Sequence, residues 1–251
     1  MRISILGVPV DDVTPNEALD LLMGFLGKDG FHLLVTPNPE MIMLAQKDPQ
    51  YKEILQSADL VAPDGIGVVL AARMGGRPIR CRVTGCDLIA SLLERLPETG
   101  ATAYFLGAAP GVALKAKENM EKKFPGLRIL GADDGYFDSE KEREILERIK
   151  ELKPDLLMIG LSMGKAEKWA SAHKDLPVRI AACIGGTIDV LGDKVKRAPL
   201  PFRKLGLEWF YRLLTQPTRA RRMLMLPVFM GAILREYVFG KKKMEIINHA
   251  G

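Results

Sequence analysis

Short apolar runs alternate with longer amphipathic stretches along the chain to about residue 193. Such runs are typical of strands buried on both faces, and the stretches between them repeat their apolar residues at helical spacing. The runs that predict strands are residues 2–10 (a strand with a turn), 31–35, 60–62, 103–106, 127–130, 156–160 and 179–183. Strand-then-helix repetition predicts an α/β fold with a Rossmann-like, mostly parallel sheet that has helices on both faces.

Capping signals mark where several of the helices begin. Thr14-Pro15-Asn16-Glu17 has the form of a capping box with proline at the first helical position, so a helix is predicted over about residues 15–27. Further helices are predicted after Glu40 and Gly67 and over about residues 50–56, 84–96, 112–124, 139–152 and 165–173.

The chain changes character after residue 193. From Lys194 onward it has 13 Lys or Arg against 3 Asp or Glu, whereas residues 1–193 have 23 against 28 of the totals of 36 and 31. We therefore divide it into an α/β domain, residues 1–193, and a basic helical C-terminal appendage, residues 194–251; candidate catalytic residues are sought in the α/β domain. The basic appendage predicts an anionic partner, either a phosphate-bearing ligand or an anionic membrane, and nothing in the body favours nucleic acid.

The appendage contains an apolar helix, predicted over residues 223–239, that is too short to cross a bilayer and includes Arg235 and Glu236. Aromatic residues accompany the arginines and lysines of this segment: Trp209, Phe210, Phe229, Tyr237 and Phe239. This mixture favours a helix pair lying in the membrane interface. The alternative is an ordinary bundle with a solvated basic face, and the apolar faces fit self-association into a homo-oligomer equally well.

Composition narrows the class further. A chain of 251 residues with 47% hydrophobic and 27% charged residues has the composition of a soluble globular protein. Its three cysteines and three histidines form neither a disulfide framework nor a zinc pattern, so we expect no metal and no cofactor. The first residues predict a strand rather than a signal peptide, which favours a cytoplasmic protein.

The stretch from Val61 to Gly67, which reads Val-Ala-Pro-Asp-Gly-Ile-Gly, places Asp64 just past a strand end. Ligands of open α/β sheets bind at that position, but aspartate is also a preferred helix N-cap. Right-handed crossovers bring all such loops to one edge of the sheet. The loops concerned contain Thr36 and Asn38, Asp64, residues 107–111, the residues after 160, and residues 185–187. Their convergence favours a site that includes Asp64.

The residue types at this edge suit sugar and diphosphate chemistry. A glycine-flanked loop such as residues 107–111 can hold a diphosphate at a helix N-terminus, although tight packing uses glycine just as often. Asp64 can act as a general base if a substrate hydroxyl comes within hydrogen-bonding reach. Thr36 and Asn38 can orient sugar hydroxyls, or can simply form a turn and a cap. The chain has neither a dinucleotide fingerprint nor a Walker sequence, which disfavours a nicotinamide oxidoreductase.

Three arginines of the appendage, Arg212, Arg219 and Arg222, are spaced 7 and 3 residues apart and can share one helical face. Guanidinium groups suit bidentate phosphate contacts, so these side chains can neutralise a departing diphosphate without a metal. Contact with lipid headgroups is the alternative.

Nine motifs in register resemble one family over nearly the whole chain. They are Thr36-Pro-Asn-x-Glu40, Pro63-Asp64-Gly65-x-Gly67, Arg82-Val-x-Gly85-x-Asp87, Leu106-Gly107-Ala108, Gly135-Tyr136-Phe137, Glu167-Lys-Trp169, Gly185-Gly186-x-x-Asp189-Val190, Gly192-x-Lys194-x-x-Arg197-Ala-Pro199, and Gly206-Leu-Glu-Trp-x-x-Arg212 with Pro217-x-Arg219-x-x-Arg222. On these residues the chain resembles the bacterial WecG/TagA/CpsF glycosyltransferases.

The resemblance implies an inverting, metal-independent transferase at the cytoplasmic face of the membrane. It implies UDP-N-acetylmannosamine as donor, polyprenyl-diphosphate-linked N-acetylglucosamine as acceptor, and a β-linked lipid-bound disaccharide of wall teichoic acid or a related polysaccharide as product. By motif match, Asp64 is the general base with Thr36 and Asn38 beside it. The substrate-binding residues implied are Arg82, Gly107, Ala108, Gly135, Glu167, Gly185 and Gly186, with Arg212, Arg219 and Arg222 on the diphosphate.

The chain departs from the family pattern at Ala166, where a glutamine is usual. The role of that amide is either lost or moved to Lys165, which leaves the donor sugar open; UDP-N-acetylmannosaminuronic acid is the alternative donor. A non-catalytic, nucleotide-binding module associated with the membrane is the alternative from another functional class.

Overall fold

Six parallel strands form the central sheet in the computed structural model, which describes residues 1–215, 225–240 and 242–247, without the side chains of Lys204 and Arg212. The strands are β3 (His32–Val35), β4 (Leu60–Val61), β5 (Thr102–Gly107), β6 (Arg128–Asp133), β7 (Leu156–Gly160) and β8 (Ile180–Cys183). Their order across the sheet is β4-β3-β8-β7-β5-β6, and every neighbouring pair is parallel. The predicted α/β class is confirmed.

Helices cover both faces of this sheet, as predicted. The first nine are α1 (Pro15–Leu26), α2 (Pro39–Ala45), α3 (Pro49–Gln56), α4 (Ile66–Met74), α5 (Gly85–Thr99), α6 (Val112–Lys123), α7 (Ser139–Leu152), α8 (Lys165–Ala172) and α9 (Thr187–Leu191). Successive strand residues point to opposite faces, so Leu33 packs into one core cluster and Leu34 into the other. Helices α2, α3, α4, α7 and α8 cover the first cluster, and α1, α5, α6 and α9 cover the second.

The N-terminal residues form a hairpin in a separate small sheet. Strands β1 (Arg2–Ile5) and β2 (Val8–Asp11) are antiparallel, and their turn has positive φ at Leu6 and Gly7, as the tight twist of a two-residue hairpin requires. A buried ion pair at 2.8 Å joins Arg2 to Asp11, whose carboxylate also accepts a 2.8 Å hydrogen bond from the Val61 backbone. The hairpin therefore braces β4.

The C-terminal segment forms α10 (Leu200–Lys204), α11 (Glu208–Thr215), α12 (Met225–Ile233), a π-helix (Leu234–Phe239) and β9 (Ile246–Ile247), which pairs with β1. Helix α12 packs on α2 and α4, and Phe229 and Ile233 are fully buried in the first core cluster. The Tyr237 hydroxyl accepts a 2.9 Å hydrogen bond from the Leu6 backbone. The prediction that Phe229 and Tyr237 face a membrane is therefore wrong, because an apolar helix surface here covers the core.

The division at residue 193 stays a prediction. Helix α12 belongs to the predicted appendage, but two of its side chains, Phe229 and Ile233, lie in a core cluster of the body. The predicted helix over residues 223–239 is present from Met225, and its first two residues lie outside the described part of the chain. Within the described residues, no helix combines the length and the apolar character needed to cross a bilayer.

Candidate active site

The strand order brings the predicted loops into one row at the carboxyl edge of the sheet. From β4 to β6, the row contains Asp64, then Thr36 and Asn38, then Gly185 and Gly186, the loop after Gly160, then Gly107 and Ala108, and Gly135. Four inter-strand spacings of about 4.8 Å separate β4 from β5, so the row from Asp64 to Gly107 is about 19 Å long. This convergence confirms the predicted edge, and the role of each residue stays a prediction.

The loops after β3 and β4 are bonded to each other. The Asp64 backbone N–H donates to the Pro37 carbonyl oxygen at 3.2 Å, and the Ala62 N–H donates to the Val35 carbonyl oxygen at 3.0 Å. Pro39, at the start of α2, packs closely on Gly67, in the first turn of α4. A Cβ at Gly67 would lie 2.7 Å from the Pro39 ring. These contacts hold the half-buried Asp64 next to the loop that carries Asn38, which follows the neighbouring strand.

Helix capping was the alternative role for both Asp64 and Asn38. Gly65, with φ at 91°, occupies the N-cap position of α4, so Asp64 lies one residue before that position. Asn38 does cap α2, because its Oδ1 accepts a 3.0 Å hydrogen bond from the Met41 N–H. Its amide nitrogen is the group with which Asn38 can serve a ligand.

Thr36 is buried against the first residue of α5. A Cβ at Gly85 would lie 3.0 Å from the Thr36 hydroxyl oxygen, so this glycine lets α5 begin directly beside the loop. Thr84 caps the helix by accepting from the Asp87 N–H at 3.2 Å. The loop that carries Thr36 and Asn38 is therefore fixed on two sides, by α5 and by the Asp64 loop.

Closely packed backbone forms a glycine floor over β5, β6 and β7, made by Gly107, Ala108, Gly135 and Gly160. A Cβ at Gly107 would lie 2.5 Å from the Gly160 carbonyl group, and the Ala108 N–H donates to that oxygen at 3.0 Å. The Gly135 N–H in turn donates to the Ala108 carbonyl oxygen at 2.9 Å. Ala108 has φ at 61°, a conformation that L-residues rarely adopt and that clusters at functional sites. The lack of a Cβ at the three glycines thus lets the loops after β5, β6 and β7 pack directly on one another.

Two glycines near this floor, Gly185 after β8 and Gly111 after β5, face open space. A Cβ at Gly185 would meet no atom within 4 Å, and neither would one at Gly111, the N-cap of α6. Neither glycine is needed for packing at that point, although both have positive φ. The aromatic ring of Tyr136, next to Gly135, is 73% exposed beside the floor.

Glu167 lies beneath the loop after β7 rather than on its surface. Its side chain is 3% exposed, and Oε2 accepts a 2.9 Å hydrogen bond from the Gly164 N–H. Burial raises the pKa of this carboxyl. The geometry is that of a group that shapes the loop. Ala166 is buried in the core while Lys165 is exposed, so the lysine does not take up the position of the Ala166 side chain.

Acidic residues near the floor are already paired. Asp133 accepts from Arg148 at 2.8 Å and from the Tyr104 hydroxyl, and Asp134 pairs with Lys141 at 2.9 Å. Among the residues that the structure describes, there is no group of three or more His, Cys, Asp or Glu side chains suited to a metal ion.

An ion-pair network missed by the sequence reasoning joins the C-terminal segment to this edge. Its members are Arg82 and Asp87 of the body and Arg197, Arg203 and Glu208 of the segment. Burial alone would raise the pKa of Asp87, but the hydrogen bonds from Arg197 and Thr84 hold it below its ordinary value. Arg82 contacts this segment, donating to the Arg203 carbonyl oxygen at 2.9 Å, and its predicted role in substrate binding stays a prediction. These ion pairs join residues more than 100 positions apart, and no local motif predicts them.

The remaining predicted residues belong to the segment itself. Arg212 is part of α11, but its side chain lies outside the description, as do Arg219 and Arg222 altogether. Large apolar side chains are exposed on α10, α11 and the residues between them: Leu200, Leu205, Leu207, Phe210 and Leu214. Of the aromatic residues predicted to lie in the membrane interface, Phe210 and Phe239 are exposed, at 39% and 76%, whereas Phe229 is fully buried.

Comparisons with known proteins agree with this arrangement. The model of the glycosyl transferase WecG/TagA/CpsF family matches residues 3–243. A relative from Bacillus spizizenii, N-acetylglucosaminyldiphosphoundecaprenol N-acetyl-beta-D-mannosaminyltransferase, is 38% identical over 212 residues, which cover 84% of this chain and 82% of the relative. A Staphylococcus aureus protein of the same name is 30% identical over 237 residues, 93% of this chain and 92% of its own.

Proposed function

The chain belongs to the glycosyl transferase WecG/TagA/CpsF family, and from that premise we propose that it transfers N-acetylmannosamine from UDP-N-acetylmannosamine to polyprenyl-diphosphate-linked N-acetylglucosamine. The product is a β-linked, lipid-bound disaccharide of wall teichoic acid or a related surface polysaccharide. One observation carries the proposal: the Asp64 loop is bonded to the Thr36–Asn38 loop at the same sheet edge as the glycine floor. The names of the two relatives support the choice of donor and acceptor.

The donor lies along the row of loops. Its nucleotide diphosphate lies over the glycine floor, whose Ala108 and Gly135 N–H groups already donate to backbone carbonyls, and meets backbone N–H groups in the open space at Gly185 and Gly186. Exposed Tyr136 offers its ring to the base. The sugar then extends toward β3 and β4, and the hydroxyl of Thr36 and the amide of Asn38 orient it.

The reaction is a single displacement at the anomeric carbon. Asp64 accepts the proton of the acceptor hydroxyl as that oxygen attacks the anomeric carbon from the face opposite the diphosphate. The bond between the anomeric carbon and the diphosphate oxygen breaks, UDP leaves, and the configuration inverts. Arg212, Arg219 and Arg222 neutralise the charge that develops on the leaving diphosphate.

The acceptor reaches the site from the membrane surface. The exposed apolar side chains of α10 and α11 belong to a segment rich in Lys and Arg, which is the combination that binds a membrane interface with anionic lipids. We place the protein peripherally on the cytoplasmic face of the membrane, with the lipid diphosphate entering beside α11.

The test is transfer of labelled sugar from UDP-N-acetylmannosamine to a polyprenyl-diphosphate-linked N-acetylglucosamine analogue, with UDP release followed in parallel. Removing a general base costs roughly 10²–10⁴-fold in rate, so Asp64→Asn should lose that factor. The matched control is Asp20→Asn, which changes an exposed aspartate of α1 and should keep full activity.

Two results separate the alternatives. Transfer undiminished in Asp64→Asn would refute the mechanism, and UDP binding without turnover would favour the non-catalytic module. A panel that includes UDP-N-acetylmannosaminuronic acid identifies the donor.

A further inference from the structure

Asp87 has a fixed side chain at the start of α5. Its backbone N–H donates to the Thr84 hydroxyl at 3.2 Å, and that hydroxyl donates back to the Asp87 carboxylate at 2.6 Å. The Thr84 hydroxyl, which accepts from the Asp87 backbone, therefore also orients the Asp87 carboxylate within the first turn of the helix. This carboxylate is a preformed acceptor for groups that arrive from elsewhere in the chain.

Those groups are two arginines of the C-terminal segment. Arg197 donates to the Asp87 carboxylate at 2.5 Å, and Arg203 approaches the other carboxylate oxygen at 3.6 Å. The two arginine side chains are 21% and 24% exposed, whereas the Asp87 side chain that they share is 53% exposed, so solvent screens these pairs in part. Asp87 thus joins Arg197, three residues before α10, and Arg203, within α10, to α5.

A second contact continues the attachment into α11. Arg82 donates to the Arg203 carbonyl oxygen at 2.9 Å and has Glu208, the first residue of α11, at 3.9 Å. The network therefore has three guanidinium groups and two carboxylates. Removing the Asp87 charge takes the shared carboxylate away from both Arg197 and Arg203.

The network borders both loops of the candidate site. The Val83 N–H donates to the Pro63 carbonyl oxygen at 2.9 Å, directly before Asp64. Gly85 lies against Thr36, and Gly206 packs on Ile66 so closely that a Cβ there would lie 3.0 Å from Ile66 Cβ. A shift of α10 and α11 would therefore occur at the rim of the site itself.

We infer that Asp87 is a positioning residue: it fixes α10 and α11, and with them the backbone of Arg212, beside the Asp64 loop. It does so through Arg197 and Arg203 and touches no substrate. The kinetic part of this inference rests on the proposed function, because it assumes that an arginine of α11 meets the leaving diphosphate. The structural part does not.

The experiment compares Asp87→Asn, Arg197→Gln and the double variant in the full-length protein. Asparagine keeps an oxygen that can accept from Thr84, so the cap of α5 survives and only the charge is lost. The control is Glu94→Gln, a charge removal at an exposed position of the same helix. Two readouts are taken: amide hydrogen exchange over residues 197–215, and kcat and donor KM in the transfer assay.

Each single variant should exchange about tenfold faster over residues 197–215, since a charge-assisted hydrogen bond is lost there, while strands β5 and β7 keep their protection. The kcat should fall about tenfold with little change in donor KM, because the glycine floor that holds the nucleotide is untouched. The double variant should be no worse than the worse single variant, since both changes break one interaction. Glu94→Gln should match the wild type.

Unchanged exchange in Asp87→Asn would overturn the positioning role. Faster exchange with an unchanged kcat would overturn its link to catalysis. A wild type that turns over no UDP-sugar would refute the proposed function instead, and the exchange measurement would still decide whether Asp87 fixes the segment.

Discussion

Replacing Phe229 by alanine tests whether the C-terminal segment is part of the core. Phe229 is 0% exposed in a cluster shared with α2 and α4. Truncating a buried phenylalanine to alanine costs about 3–5 kcal/mol of unfolding free energy, because apolar contacts are lost and a cavity remains. Typical proteins are stable by only about 5–15 kcal/mol, so Phe229→Ala should remove about a fifth or more of the total. Urea unfolding followed by far-UV circular dichroism measures the difference.

The neighbouring residue supplies the control. Val228 is 52% exposed on the same helix, so Val228→Ala should change the unfolding free energy by less than about 0.5 kcal/mol. Equal stability of the two variants would refute the docking of α12 on the body. Deletion of all residues from 194 would remove Phe229, Ile233 and Met244 from this cluster at once. It should therefore destabilise the remaining chain more than Phe229→Ala does.

Three further changes test the site. Gly107→Ala places a Cβ 2.5 Å from the Gly160 carbonyl group, so it should lower Tm and weaken UDP binding measured by calorimetry. Glu167→Gln keeps an acceptor for the Gly164 N–H and removes a carboxyl whose pKa burial raises. The wild type should therefore lose stability relative to this variant as pH rises from the unfolded pKa, about 4.3, through the folded pKa, as urea unfolding at several pH values would show. Tyr136→Ala should leave Tm unchanged and raise donor KM about tenfold if the ring stacks on the base.

Each of these has a contradicting result. Gly111→Ala adds a Cβ in open space at a residue that also has positive φ, 79° against 138° at Gly107, so equal loss of UDP binding in both glycine variants would show that close packing at Gly107 is irrelevant. A stability difference between Glu167→Gln and wild type that stays constant with pH would mean that the carboxyl is not buried. An unchanged KM in Tyr136→Ala would remove the ring from the donor site.

Local sequence signals were sufficient to predict most of the strands and helices of residues 1–193. Buried parallel strands are continuous apolar runs, and the capping box at Thr14 forms as its four residues indicate, with the Thr14 N–H donating to Glu17 at 2.8 Å. Because every strand of the sheet is parallel, the sequence order of the loops was enough to place Asp64 and Asn38 at one edge.

Contacts between distant parts of the chain were not predictable in this way. Asp87 and Arg197 are 110 residues apart, and no spacing rule relates an aspartate in a helical turn to an arginine in a later loop. The burial of Phe229 had a signal, since a helix that is apolar all round is usually buried, but the basic residues around it favoured a membrane. At Asp64, local preference could not show that Gly65 takes the cap.

The position of β3 between β4 and β8 has a consequence for synthesis on the ribosome. The strand that leads to Thr36 and Asn38 gains its second neighbour only after residue 183 has been translated, and β1 gains β9 only after residue 247. Until then, β3 is an unpaired edge, which is the kind of surface that recruits other nascent strands. Translation of the second half of the chain therefore both completes the catalytic edge and ends the period in which the newborn protein is most prone to aggregate.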